Sequence, residues 1–163
     1  MSYENFDNIA HAQLSGGYKS GANWFYWIAG LTIVTSLISF GGGSWRFLIS
    51  LGSTQIIDGI AQGLATELGG AARVVGLVLD LIVTGLFVMF GWLAGQKYLW
   101  AYVVGMVAFA LDGLLSLVFG DWIGVAAHAF VLYFLFRGFQ AGRGLVAFEK
   151  AMAERTAAAA AQP

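Results

Sequence analysis

The chain of 163 residues predicts an all-α fold: a polytopic transmembrane helical bundle of four spans, five being the alternative, with amphipathic interfacial helices beside them. Three observations lead there. First, 59% of the residues are hydrophobic and 10% charged, against roughly 45–50% and about 25% in soluble proteins, so too few polar side chains exist to coat a water-soluble globule. Second, several uncharged runs are long enough to cross a bilayer. Third, the breaks between the later runs are so short that neighbouring helices must be antiparallel.

Residues 1–23 are polar, with Phe6, Ile9, Ala10 and Leu14 at helical spacing, and lack the basic start of a secretory signal. They read as a cytoplasmic amphipathic helix on the membrane surface, followed by a Gly/Ser turn. The bundle proper is expected over 24–142. Residues 24–40 carry no charge and begin with Trp24, Tyr26 and Trp27, where an interfacial aromatic belt belongs. That is the first span.

Residues 73–95 and 98–120 form the second and third spans, each about 34 Å long at ~1.5 Å per residue. Only Gln96 and Lys97 separate them, which allows nothing but a tight turn, and Trp92, Tyr98 and Trp100 flank it at one membrane surface. The fourth span covers 122–138, parted from the third by Asp121 and continuing toward Gly142. Beyond it, 143–163 place Arg143, Lys150 and Arg155 beside Leu145, Phe148 and Met152, a basic amphipathic tail ending in an alanine run.

The segment 45–68 is two-faced. Ile56, Ile57, Ile60, Ala61, Leu64 and Leu68 fall on one side at 100° per residue, and Thr54, Gln55, Asp58, Gln62 and Thr66 on the other. It is read as an amphipathic or re-entrant helix, with a fifth span as the alternative. Lys19, Lys97, Arg137, Arg143, Lys150 and Arg155 share one surface in the four-span reading, opposite Arg46 and Arg73, so the richer surface and the C-terminus are cytoplasmic. The expected location is the cell or inner membrane. Five spans give the same imbalance, so charge does not choose between the two.

Asp80, Asp112 and His128 are the ionisable residues inside spans, each about 9–12 Å from the outer end of its helix by ~1.5 Å per residue. They are expected at nearly one level. Thr84 follows Asp80 and Ser116 follows Asp112 by one turn, while Thr32, Thr35, Ser36 and Ser39 make a hydroxyl stripe on the first span. An ionised Asp at that depth costs at least ~2.5–3.5 kcal/mol, so these carboxyls must be paired, hydrated or protonated. Two acids and an imidazole suit proton or cation handling. The same groups also suit plain interhelical hydrogen bonds that fix register.

Gly59/Gly63, Gly91/Gly95, Gly120/Gly124 and Gly138/Gly142 match the small-xxx-small spacing of close helix packing. The resemblance of residues 57–60 to 111–114 is too slight to establish a repeat.

Catalysis has little to stand on. There are no cysteines and two histidines, His11 and His128, in unlike settings, so no metal, haem or thiolate site is expected, nor any other cofactor. No phosphate-binding glycine motif occurs. A formal net charge of −1 offers no surface for nucleic acid. The expected partners are the lipid bilayer and a membrane protein or second copy of this chain. The function classes left are a non-catalytic small membrane subunit or lipid- or partner-binding scaffold, and a small proton- or cation-coupled transporter or channel using Asp80, Asp112 and His128.

Overall fold

The computed structural model describes residues 3–40, 57, 60, 63 and 70–161. Among them all regular structure is helical, and four helices are long and apolar enough to cross a membrane. These are α1 (Tyr3–Phe40), α2 (Gly70–Gly95), α3 (Leu99–Val118) and α4 (Trp122–Ala160). The expectation for the segment 45–68 falls almost wholly outside the described residues.

Both turns within the α2–α3–α4 run have the same architecture. At the end of α2, Tyr98 N–H donates to Leu93 O (3.2 Å) and Lys97 N–H to Ala94 O (2.9 Å). At the end of α3, Asp121 N–H donates to Ser116 O (2.9 Å) and Gly120 N–H to Leu117 O (3.0 Å). This paired bonding needs one residue in the left-handed region, which glycine adopts freely. Gly120 supplies it at φ +70°, whereas the first turn uses Lys97 at φ +68°. The two turns mark opposite ends of the bundle, called here the Lys97 end and the Asp121 end.

Contacts fix the helix directions. Tyr18 reaches the carbonyl of Ala94, and Gly91 abuts Phe25, so α1 and α2 are antiparallel. Leu14 meets Gly144, Gly17 meets Ala141 and Trp24 stacks on Phe134 at 5.1 Å, so α1 and α4 are antiparallel as well. Tyr102 donates to Tyr18 O (3.2 Å) and Gly105 lies against Phe25, so α1 runs parallel to α3. The result is a four-helix ring in which each helix is antiparallel to its two neighbours. Phe40 and Gly70 therefore sit at the same end, the Asp121 end.

Two expectations are corrected. No turn follows the first amphipathic stretch, because α1 passes unbroken through Gly16, Gly17 and Gly21. Nor is the basic tail a separate helix, since α4 continues through Gly138 and Gly142. A helical glycine costs about 1 kcal/mol relative to alanine, but here the glycines form the seam between α1 and α4. A Cβ on Gly21 would collide with the Tyr102 hydroxyl and with Gly138, and one on Gly142 would lie 2.5 Å from the Tyr18 ring. Close backbone packing outweighs the propensity that suggested breaks. Gly91 is a contact of the same kind, against Phe25 and Tyr26, whereas Gly95 and Gly120 face open space.

With 38 and 39 residues, α1 and α4 are each about 57 Å long at ~1.5 Å per residue. They outrun α2 and α3 at the Lys97 end and form a two-helix stalk. Glu149 ties the stalk to the bundle, accepting from Lys97 Nζ at 2.6 Å and lying 3.3 Å from His11 Nε2. Those contacts hold its exposed carboxyl below the usual carboxylate range, the Lys97 hydrogen bond contributing most.

Candidate functional site: a two-tiered polar centre

Seven of the residues singled out from the sequence are brought into the Asp121 half of the bundle and buried there: Thr32, Ser36, Asp80, Thr84, Asp112, Ser116 and His128. Thr35 is buried too, its hydroxyl donating back to Leu31 O at 3.0 Å. The Ser39 side chain lies outside the described ones.

Helical register sorts them into two tiers. Phe25 touches Gly91 and Gly105, so seven residues further along α1 brings Thr32 level with Thr84 and Asp112. Eleven residues along brings Ser36 level with Asp80 and Ser116. The ring contact of Phe87 with Phe109, at 6.1 Å, gives the same pairing of α2 with α3. On α4, His128 packs against Gly113 and Gly124 lies beside Ser116. The inner tier is thus Thr32, Thr84, Asp112 and His128, and the outer tier is Ser36, Asp80, Ser116 and Gly124. They are one helical turn apart, about 5.4 Å. Each of the four helices contributes an i, i+4 pair.

Depth counted along the sequence places Asp80, Asp112 and His128 together. Register moves Asp80 one turn closer to the Asp121 end, because the α2 residue level with Gly120 is Gly76 rather than Arg73. Of the three, Asp112 and His128 are joined directly, Nε2 to Oδ2 at 3.0 Å.

Hydrogen bonding fixes what that contact contains. His128 Nδ1 lies 2.7 Å from Gly124 O, and a carbonyl can only accept, so Nδ1 carries a hydrogen and donates it. Nε2 then faces a carboxylate oxygen, and the contact needs one proton between them. The proton sits on Nε2, giving imidazolium and carboxylate, or on Oδ2, giving two neutral groups. Either form has no net charge, which is how an acid and a base are kept in an apolar interior. Phe109 stacks on the imidazole at 4.5 Å and 26°. Gly113 makes room for it, since a Cβ there would lie 3.0 Å from His128 Cβ.

Toward the Lys97 end the centre is closed by packed aromatics. Phe25, Phe87, Phe109 and Tyr102 are almost wholly buried and linked ring to ring, Phe25 to Tyr102 at 5.5 Å and Phe87 to Phe109 at 6.1 Å. Toward the other end lies Asp121, exposed, accepting from Gly124 N–H at 2.9 Å as the N-cap of α4. Asp121, Gly124 and Ser116 thus stand between the exposed end of α4 and the Asp112–His128 pair. Among the described residues the buried hydroxyls of Ser36 and Thr84 have no hydrogen-bond partner. Among the same residues no cluster of three metal-ligating side chains occurs.

The sequence reading missed Asp121, Phe109 and Gly113 as parts of this site. Asp121 had a signal, an Asp three residues before Gly124 at the start of an apolar run, which is the N-cap pattern. Phe109 had none, because an aromatic at helical spacing is ordinarily core. Compared with known proteins, the chain matches no family model, no curated protein and no solved structure.

Proposed function

We propose that this chain is an integral membrane protein of four crossings whose polar centre takes up a proton, or a small cation in its place, from the Asp121 end. The membrane placement rests on the outer surface of the bundle. Leu37, Ile82, Leu86, Val107, Leu111 and Phe136 are exposed, a surface that water would not tolerate and lipid would. Trp92, Tyr98 and Trp100 stand at one end of the short helices and Phe119 and Trp122 at the other, all exposed. The 20 residues of α3 between them span about 30 Å, the thickness of a hydrocarbon core. The described helices alternate in direction, with Phe40 and Gly70 at the same end, which supports the four-span reading. The excess of Lys and Arg at the Lys97 end and on the stalk makes that side, with both termini, cytoplasmic.

The observation that carries the proton reading is the Asp112–His128 contact, which must hold one proton between Nε2 and Oδ2 while Nδ1 is engaged elsewhere. Its surroundings suit exchange of that proton. Among the described residues two buried hydroxyls, Ser36 and Thr84, have no hydrogen-bond partner, each costing about 1–3 kcal/mol if left so. They share the two tiers with the pair, and Gly124 and Ser116 stand between it and the exposed Asp121 carboxylate. In a carrier, movement of the aromatic layer would open the site to the other side. We assign no catalytic role.

A second reading, a non-catalytic small subunit or a lipid- or partner-binding scaffold, is favoured by that aromatic layer itself, which leaves the centre closed toward the cytoplasm. Proton flux separates the two. In proteoliposomes with a trapped pH dye and an imposed gradient, the protein should dissipate the gradient, and the Asp80→Asn, Asp112→Asn variant should not. Protonated Asp and Asn are close in shape, so the variant should fold. No flux from the folded wild type would leave the scaffold reading.

A further inference from the structure

A cleft of about 220 Å³ opens between α1 and α4 on the outside of the bundle, lined by Gly17, Ser20, Gly21, Trp24, Phe134, Arg137 and Gly138. Its floor is the glycine seam, where the absence of side chains leaves the groove. Its composition changes along its length. Trp24 stacked on Phe134 makes the wall nearer the bundle centre, and Ser20 with Arg137 stands nearer the Lys97 end. Arg137 is exposed, leans on the Tyr133 ring at 5.9 Å, and among the described residues has no carboxylate within ion-pair distance. Lys97, in the α2–α3 turn, has Glu149; Arg137 has no such partner among the described residues.

We propose that this cleft binds one anionic membrane phospholipid, its phosphate on the Arg137 guanidinium and Ser20 hydroxyl and the start of its acyl chains along Trp24 and Phe134. The inference rests on the membrane placement proposed above and is independent of the proton site. Register places Arg137 level with Gly21, about one turn inward from the Lys97 turn. In a bilayer that is the depth of the phosphate and glycerol groups on the cytoplasmic side, with the aromatic pair one turn deeper among the first methylenes. An unpaired guanidinium with a fork of donors beside a hydroxyl matches a phosphodiester. Net negative charge on the lipid supplies the counter-ion that the described residues do not.

The test uses the full chain in a neutral detergent and native mass spectrometry with added phosphatidylglycerol or phosphatidylcholine. Wild type should retain a single phosphatidylglycerol in preference to phosphatidylcholine. Arg137→Gln should weaken that retention about tenfold or more, the loss of a charge-assisted hydrogen bond. Ser20→Leu, at an exposed position, should weaken it comparably by filling the cleft while leaving the charge, so the test survives if one variant folds poorly. Equal retention of both lipids, or unchanged retention in both folded variants, would overturn the proposal. So would displacement of the lipid by millimolar inorganic phosphate, which would make the cleft a site for the free anion. A chain recovered from cells without detergent would instead defeat the membrane placement, a result distinct from any of these.

Discussion

The two halves of the bundle are held together by opposite chemistry. In the Lys97 half, backbones approach through Gly17, Gly21, Gly138 and Gly142, with Tyr18 and Tyr102 filling the space between them. In the Asp121 half α1, α2 and α3 each offer a polar i, i+4 pair to the interior and α4 offers His128, which is hydrogen-bonded to Asp112 across the helices. Close glycine packing is rigid and intolerant of added atoms, whereas a polar layer tolerates exchange among groups of similar shape that keep the hydrogen bonds. On the function proposed above, the first half would anchor the bundle and the second would hold the exchanging proton. The difference also accounts for where the long helices extend: the stalk grows from the rigid half, and the exposed Asp121 turn closes the polar one.

The largest expected effect comes from breaking the rigid half. Gly138 faces the Tyr102 hydroxyl and the Gly21 backbone, neither able to retreat, so Gly138→Leu should cost at least the upper part of the ~1–3 kcal/mol range for overpacked cores. Gly85, a helical glycine with nothing within 4 Å of its would-be Cβ, should behave oppositely. Gly85→Ala should stabilise by about 0.5–1 kcal/mol through helix propensity. Unfolding in detergent titrated with a denaturing surfactant measures both. Equal, small effects would mean that the seam is not close-packed.

The next effect tests the polar half by shape. Asp112→Leu strands His128 Nε2 in an apolar interior and should cost about 1–3 kcal/mol. Asp112→Asn should cost less than about 0.5 kcal/mol, because its amide can donate to Nε2 while Nδ1 still donates to Gly124. A large loss in the Asn variant would mean that charge, rather than the hydrogen bond, holds the pair.

Much of this architecture was legible in the chain. The α2–α3 hairpin followed from two intervening residues, and the polar residues that the four helices bury could be named, though not which neighbours their faces would meet. The continuity of α1 was not legible, because helix propensity reads Gly16, Gly17 and Gly21 as a turn while tertiary packing uses Gly17 and Gly21 as notches. Even so, Gly17 and Gly21 carry the small-xxx-small spacing, and weighing it would have offset the turn reading. The direct Asp112–His128 bond lay one step beyond sequence. Depth along each helix could be counted, but which side chains meet depends on rotation about the helix axes, and Gly113, the residue that admits the imidazole, has no side chain to announce itself.

The smallest effect concerns the turns, where the same bonding pattern is built on Gly120 at one end and Lys97 at the other. A non-glycine residue in the left-handed region carries a strain of about 1–2 kcal/mol, and Lys97 is held there while its ammonium reaches Glu149. Both Lys97→Ala and Lys97→Gly lose that contact, but only glycine releases the backbone. Lys97→Gly should therefore be more stable than Lys97→Ala by about 1 kcal/mol, read as the difference in unfolding midpoints. The ion pair separates from this by its pH dependence. Because the Glu149 carboxyl is depressed in the folded state, its contribution is present above the unfolded value and is lost as pH falls through the folded one. Wild type should then converge on Glu149→Gln in acid and stand above it at neutral pH. If Lys97→Gly and Lys97→Ala unfold alike, the turn does not hold a left-handed residue, and the likeness between the two ends fails with it.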